Sequence, residues 1–578
     1  MKHAVLRIAF AGALALSALS AHAEREHTVP TGWWWLQGVS EATVNDKVDE
    51  GYRLTDIEVE STLPYTFSAV FVRNSGVHAK IWGWRIAQTE LQLENYMNAN
   101  NLRILDLEVA HEGTSPRLTA TMIRNAGADA TAWWWYYDRS LAYIDARVRE
   151  HNARIIDLDT YVLAGTRFYS AVMVRNTGTH YRDWWWFPDA TWAQVQFLMG
   201  DLNARLVDVE DRGGGRYAVV MQKLNGEYWW WALAHTEADL NHFNNQRGAR
   251  IIDIETVFVS GQKRFHALML NNSTPLETRV GKLMRDNTDG VYGFYLKRVG
   301  GNVIANIMDT YEFYPASSIK VEQHVYAINR VQGGMSINTP VQQWANSTGD
   351  THFGEPIPPT SPLGDVLEDM MVNSSNSATN HIQDHFGNAN GVVGRALINA
   401  YGHDIIELSD SMWIHHKFGT GGPDGNNPWN IATLQDFGII YERVADGTLL
   451  NNTNRDLFYS LMLSRPWGTN SGHINDILDL VDEEAALLGV SNANRDLYKT
   501  YVQVAHKAGS LNVSLSYASN IGWLRLPIKP SDRFGSRIGF RQYVWGVYVD
   551  AFTFNTPPQT PSIELLRDEV RTTLMTFL

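Results

Sequence analysis

Ser317 and Lys320 stand three residues apart in the stretch Phe313-Tyr314-Pro315-Ala316-Ser317-Ser318-Ile319-Lys320. A serine hydroxyl is a weak nucleophile until a neighbouring group takes its proton. A lysine can take it only when burial or nearby positive charge lowers its pKa enough to leave the amine neutral. Residues three apart share one face of a helix, so this spacing sets a nucleophile beside a base. Pro315 favours a helix start just before the pair. Ser317 is then expected at a helix N-terminus, where developing negative charge is favoured. Ile319, Val321, Val325, Ile328 and Val331 predict a buried helix, and Gly333-Gly334 supply its stop. Alone, Ser-x-x-Lys is a weak signal, and the plainer reading is an ordinary helix start.

Two later stretches strengthen it. Ser374-Ser375-Asn376 follows Ser317 by 57 residues, and Lys507-Ala508-Gly509-Ser510 follows Ser374 by 133. The order Ser-x-x-Lys, Ser-x-Asn, Lys-x-Gly resembles that of penicillin-binding proteins and class A β-lactamases. The resemblance runs from about Leu276 to Leu578. Residues 292–296 resemble the early strand of that superfamily, and 430–436 the helix start after its omega-type loop. Residues 521–526 and 543–549 are similar to its late strands. The resemblance implies that Ser317 attacks a carbonyl to form an acyl-enzyme and that Lys320 accepts its proton. It implies that Ser374 relays a proton to the leaving group, that Asn376 holds the substrate amide and Lys320, and that Lys507 adds positive potential. The backbone N–H groups of Ser317 and Ser510 would form the oxyanion hole, with Ala508 and Gly509 near the substrate; apart from the resemblance, His416 is a candidate to line the cleft.

The chain departs from the family pattern in three places. Ser375 stands where Asp is commonest, and Ala508 where Thr or Ser is usual, which weakens recognition of a substrate carboxylate. The deacylating glutamate of class A enzymes has no counterpart in the loop 413–425, and Glu407 and Asp410 lie upstream in the wrong pattern. Efficient β-lactam turnover is therefore not expected.

These motifs occupy only the second half of 578 residues, a length that predicts two or more domains. The expected boundaries are a signal peptide at 1–23, repeats over 24–272, a linker at 273–277 and the hydrolase domain at 278–578. Five units of about 50 residues begin at tryptophan clusters: Trp33-Trp34-Trp35, Trp82-Gly83-Trp84, Trp133-Trp134-Trp135, Trp184-Trp185-Trp186 and Trp229-Trp230-Trp231. A polar helical segment follows in each, then a strand-like run such as Arg154-Ile155-Ile156-Asp157-Leu158-Asp159, then a second strand. The tryptophans are expected to cement adjacent units, because one unit cannot bury its own apolar face. The recurring Asp and Glu are expected to be solvated or turn-bonding groups. Three extended segments per unit predict a propeller-like ring or a stacked array.

Lys2 and Arg7, the apolar run 8–19 and Ala21-His22-Ala23 form the pattern of a signal peptide, which predicts a secreted or periplasmic protein. A formal net charge of −14 gives no electrostatic support to nucleic-acid binding. No cysteine is present, so disulfides, thiolate metal sites and cysteine nucleophiles are excluded. No stretch qualifies as a membrane span, and neither metal nor cofactor is expected.

The pairing of tryptophan repeats with this second half resembles a narrower family, the polyglycine hydrolases, over nearly the whole chain. Its fungal members are secreted serine endopeptidases that cleave glycine–glycine bonds, with a propeller-like half and a β-lactamase-like half. The fold class expected is a β-rich tandem-repeat domain with short helices, followed by an α/β β-lactamase/transpeptidase-like domain. The function expected is an exported Ser-Lys hydrolase of amide bonds, acting on a peptide or protein, cell-wall-derived substrates included. Three alternatives stand beside it: a β-lactamase, a penicillin-binding D-Ala carboxypeptidase or esterase, and a peptide- or glycan-binding repeat protein with a degenerate catalytic half. β-Lactams are expected as acylating ligands.

Overall fold

The computed structural model describes residues 28–342, 351–352, 355–356, 360–387, 394–418, 428–470, 472–529, 538–553 and 558–577. The expected signal peptide lies outside them. The chain divides into two compact units, one running to Asn244 and including Ala249–Asn272, the other made of Asn245–Gly248 and the chain from Ser273 onward.

The first unit is β-rich. Each tryptophan repeat forms its own three-stranded antiparallel sheet. In the first repeat, strand Trp33–Val39 leads to helix Glu41–Asp49 and then to strands Tyr52–Thr62 and Tyr65–Arg73. The last of these is central and pairs with both others. Each of the five helices starts where a Ser or Thr accepts a hydrogen bond from the N–H three residues on: Ser40, Thr89, Ser140, Thr191 and Thr236. That cap satisfies one of the helix's orphan donors.

The tryptophans do join neighbouring repeats. Trp133 and Trp135 pack on the core of the preceding repeat, around Leu93, Ile104 and Met122. Trp229 and Trp231 likewise pack on Val195, Leu206 and Met221. Trp33 and Trp35, from the first repeat, pack on the core of the fifth, around Leu240, Ile251 and Met269.

The recurring aspartates correct the sequence-based expectation. Asp56, Asp106, Asp157 and Asp208 are buried, none more than 5 % exposed. They neither face solvent nor bond turns; they bridge repeats. Ile57 N donates to Asp106, Leu107 N to Asp157 and Leu158 N to Asp208, each at 2.9 Å. Ile254 N of the fifth repeat donates to Asp56 of the first at 3.0 Å. Two residues further along the same strands come Glu58, Glu108, Asp159, Glu210 and Glu255. Burial, together with their mutual charge repulsion, pushes all five carboxyls upward from their ordinary pKa.

The second unit is built on one six-stranded antiparallel sheet. Its strands are β1 (Val291–Arg298), β2 (Val303–Ile307), β3 (Leu463–Arg465), β4 (Gln503–Asn512), β5 (Ser516–Ile528) and β6 (Gly539–Phe552), in the order β2-β1-β6-β5-β4-β3. Alternate residues of β6 face opposite cores, as a strand requires. Trp545, Val547 and Val549 join a core with helices α1 (Pro275–Asn287), α6 (His473–Leu487) and α7 (Gln559–Phe577). Val544 and Tyr548 join the larger core of α2 (Lys320–Gln332), α3 (Leu363–Met371), α4 (Asn376–His385) and α5 (Leu434–Ala445). Burying both faces explains why these strands are apolar almost throughout.

Residues 273–277, expected as a linker, mostly form the first turn of α1. Thr274 and Glu277 close a capping box, and Pro275 sits at the first helical position. Helix α2 ends at Gln332 with Gly333 as its cap. Thr433 accepts from Asp436 N and starts α5.

Candidate active site

The chain enters α2 through one tight turn, Ala316–Ile319. Ala316 takes φ 47°, a left-handed conformation that a residue with a side chain adopts at a cost. Three contacts hold the turn there. The Ser318 hydroxyl donates to Pro315 O at 2.7 Å, and the Ser519 hydroxyl of β5 donates to the same oxygen at 3.0 Å. Ser519 also bonds Ser318 Oγ at 3.0 Å. Beside them, β4 comes close because Gly509 has no side chain: a Cβ there would lie 2.7 Å from Ser318 N and 2.8 Å from Ser317 N. Glycine therefore lets β4 run directly against the turn that carries Ser317.

Lys320 opens α2 and is fully buried. Its Nζ donates to Ser374 O at 2.6 Å and to Asn376 Oδ1 at 2.9 Å, and lies 3.4 Å from Ser374 Oγ. Burial lowers its pKa well below that of an ordinary lysine; the charge of Lys507 lowers it further, and Asp369 opposes both. A neutral amine has two N–H groups, which the two carbonyl-type acceptors use. Its lone pair remains for an incoming proton.

Ser374 occupies the bend between α3 and α4 with φ 59°. Lys507 of β4 donates to Ser374 Oγ at 2.8 Å and to Ala508 O at 3.0 Å. Burial alone brings Lys507 down to about 7. The Ser374 hydroxyl thus lies between two lysine amines whose pKa values burial lowers, which favours their exchanging protons with it. Ser375, where the family pattern has Asp, caps α4 by accepting from Ala378 N at 3.1 Å.

Ser317 and Ser374 line one cavity of about 460 Å³ together with Lys507, Ala508, Gly509 and Ser510. Val372, Leu463, Ala518, Ser519, Phe552 and Pro558 complete its wall. Three segments distant in sequence therefore meet at one place. His416 stands outside this lining and does not take the substrate-facing position expected of it. It is 4 % exposed, its Nδ1 lies 2.7 Å from Lys417 O, and Asn430 Oδ1 accepts from its backbone N–H at 3.1 Å. Glu407 pairs with Arg443 away from the cavity. Residues 419–427 of the same loop lie outside the described residues. Among the described residues, no group of three or more His, Cys, Asp or Glu side chains is placed to hold a metal ion.

Residues 275–530 match the β-lactamase enzyme family. The C-terminal region is a β-lactamase-family domain. Among solved structures, the chain is similar to a β-lactamase of Sphaerobacter thermophilus, with 15 % identity, a TM-score of 0.38, and coverage of 52 % of this chain and 97 % of that one. It is also similar to PBP-A, with 20 % identity, a TM-score of 0.36, and coverage of 53 % and 96 %. A PBP-A mutant held as an acyl-enzyme with penicillin G gives 19 % identity, a TM-score of 0.35, and coverage of 52 % and 96 %. No curated protein matches the sequence. The β-lactamase-family domain supports the serine hydrolase, acyl-enzyme class.

Sequence reasoning missed two residues of this domain's site. Phe418 packs beneath Lys320, and Asp369 on α3 supplies the carboxylate whose field reaches it. Asp369 Oδ1 accepts from Asn373 Nδ2 at 2.9 Å, and its backbone O accepts from Ser375 N at 3.2 Å. Neither residue belongs to a spaced motif, so only the fold brings them to the lysine.

Proposed function

We propose that this protein is an exported serine endopeptidase that cleaves small-residue, glycine-rich peptide segments through a Ser317 acyl-enzyme. The observation that carries the reading is Ser374 Oγ held between Lys320 and Lys507, on the wall of the cavity that Ser317 also lines. Lys320 takes the Ser317 proton as the hydroxyl attacks the carbonyl. Ser374 returns a proton to the leaving amine, recharged by the lysines on either side. The N–H groups of Ser317 and Ser510 receive the developing oxyanion, and loss of one such donor typically costs about 100- to 1000-fold in rate. Asn376 orients Lys320 and the substrate amide.

Wall chemistry supports the narrower substrate. Ala508, Gly509, Ser510, Ala518 and Ser519 offer little volume for large side chains to pack against. Ala508 has no hydroxyl to meet a terminal carboxylate, which favours cleavage within a chain over release of its last residue. For the repeats we infer a propeller-like ring: the bond from Ile254 to Asp56 and the packing of Trp33 on the fifth repeat are what support it.

The test is incubation of the purified chain with a protein carrying a glycine-rich linker, with product masses read by mass spectrometry. Cleavage within the linker is expected, together with labelling of Ser317 by an active-site serine probe. Ser317→Ala should abolish both, and labelling undiminished in that variant would sink the assignment. A wild type that neither labels nor cleaves would favour a binding protein with a degenerate catalytic half.

A further inference from the structure

Asp550 stands near the end of β6, partly exposed, and among the described residues it forms no ion pair. Its Oδ1 accepts from Tyr314 N at 3.4 Å, and no described group donates to Oδ2. Burial pushes its carboxyl up to about 6, with the Tyr314 bond opposing that shift, so it is mostly ionised at neutral pH. The charges nearby have the same sign: Tyr311 lies in the field of Asp550 and Glu312, and Tyr548 in that of Asp550 and Asp309. Three aromatic rings gather beside this carboxylate. Tyr314 meets Trp429 edge-on at 4.9 Å between ring centroids and Tyr517 at 5.4 Å, and Trp429 lies 6.4 Å from Tyr517. Burial, and then the charge of Asp550, raises the pKa of the Tyr517 hydroxyl.

This group is continuous with the Ser317 cavity. The pairing of β5 with β6 shifts register between Ser516, opposite Phe552, and Ala518, opposite Val549, so Tyr517 faces the stretch that holds Asp550. On its other side Tyr517 pairs with Leu511 of β4. Ala518, Phe552 and Ser510, the chain neighbour of Leu511, all line the cavity. Tyr314 precedes Ser317 by three residues, a span of at most about 11 Å. The position of Ser374 gives the substrate a direction. A leaving amine must lie beside Ser374, which Lys507 holds. The acyl part of the chain then runs the opposite way along β4, past Ser510 towards Leu511 and Tyr517.

We propose that Asp550, with the rings of Tyr314, Trp429 and Tyr517, forms a subsite for a basic side chain, arginine or lysine, on the acyl side of the cleaved bond. The inference rests on the endopeptidase reading and names the residue that should precede the glycines. Aromatic faces attract a cation, and a carboxylate gives it a charge-assisted hydrogen bond. An apolar side chain in the same place would cover Asp550 and leave its charge desolvated and unpaired. The small walls at the bond itself admit glycine, while the cation anchors the chain upstream of it. A formal net charge of −14 draws a basic segment towards the protein in the first place.

The test is isothermal titration calorimetry of the whole chain carrying Ser317→Ala, which prevents turnover. The probes are N-acetyl-arginyl-tetraglycine amide and its citrulline counterpart, which keeps the shape and lacks the charge. The arginine peptide should bind about tenfold more tightly. Asp550→Asn keeps an oxygen for Tyr314 N and should bring the two peptides within about twofold of each other, with a thermal melt showing that the variant folds. Tyr517→Leu changes a partly exposed ring and should reduce the preference to about threefold. Failure of both peptides to bind overturns the proposal, as does equal binding of the two. So does a preference that Asp550→Asn or Tyr517→Leu leaves unchanged, or an equal loss of both peptides in Asp550→Asn, which would give Asp550 a role in the serine turn alone. Where the preference is found and the chain with Ser317 intact cleaves neither peptide, the subsite stands and the endopeptidase reading falls. Cleavage of both at equal kcat/KM, with equal binding, overturns the subsite and leaves that reading in place.

Discussion

The Lys320 ammonium position lies over the ring of Phe418, with Nζ 5.0 Å from the ring centroid. Asn380 fixes the backbone that carries the ring, its Nδ2 donating to Phe418 O and its Oδ1 accepting from Phe418 N, both at 2.9 Å. The phenyl face does two opposed things. It attracts a charged lysine by cation–π interaction, and it keeps water from the amine, which favours the neutral base. Burial is the largest cause of the lowered pKa at Lys320, so the second effect wins.

Phe418→Ala should therefore raise the Lys320 pKa. Acylation needs the neutral amine, so its rate rises with pH through that pKa. The variant's profile should move to higher pH by as much as the pKa rises. Serine-probe labelling rates from pH 5 to 10 measure it. A profile that moves to lower pH, or not at all, would show that Phe418 acts only as packing.

A penicillin should acylate Ser317 and stay. Neither Glu407 nor His416 lines the cavity, and the bulky penicilloyl group keeps water from Lys320 and Ser374, whereas a small glycyl acyl group admits a water that they can activate. Mass spectrometry should show a persistent adduct, beside little turnover of nitrocefin. Turnover of about 100 per second or more, within the ordinary enzymatic range, would require a base that the described residues do not place there.

Gly509→Ala should abolish labelling while leaving most of the fold. The new methyl group meets backbone atoms of Pro315, Ser317 and Ser318, none of which can rotate away. Relief requires β4 to move from the serine turn, and overpacking of this kind costs about 1–3 kcal/mol. Labelling and a thermal melt on the same sample separate the two effects. Normal labelling would mean that the turn has slack.

Glu322, two residues after Lys320, should make this domain less stable as pH rises. Burial, with a smaller contribution from Asp436, pushes its carboxyl up to about 8. The unfolded chain loses that proton near 4.5, so between these values folding must take a proton up. Stability then falls from about pH 5 to pH 8 and levels off above, because the unfolded state binds fewer protons in that window. Glu322→Gln removes this dependence. Melting temperatures of both proteins across pH 5 to 9 should converge at the acid end and separate towards pH 8, with the variant gaining. A constant gap would place the carboxylate's charge in water.

The site was legible where chemistry and spacing coincide within a few residues. The Gly333 stop follows from a local rule, whereas the helix start within 430–436 comes from the family resemblance. Contacts between distant segments were less so. Asp106 and its counterparts looked like solvated groups because their partners lie about 50 residues away in a neighbouring repeat. His416 looked available because it follows another histidine in a loop, yet Asn430 turns that backbone inward. Residues 273–277 read as a linker; Thr274, Pro275 and Glu277 make them a helix start. That capping box was present in the sequence and could have been found.

The bond from Ile254 to Asp56 also bears on the order in which the chain is made. The partner of the first repeat is the last of the five to be synthesised. Until Asn272 has emerged, Trp33 and Trp35 have no fifth-repeat core to cover, and the first repeat keeps that edge open. An open stack can settle repeat by repeat from its beginning; here the earliest repeat must wait for the latest. Deleting any one repeat should therefore harm both of its neighbours, including the first and the fifth, which stand at opposite ends of the row of repeats.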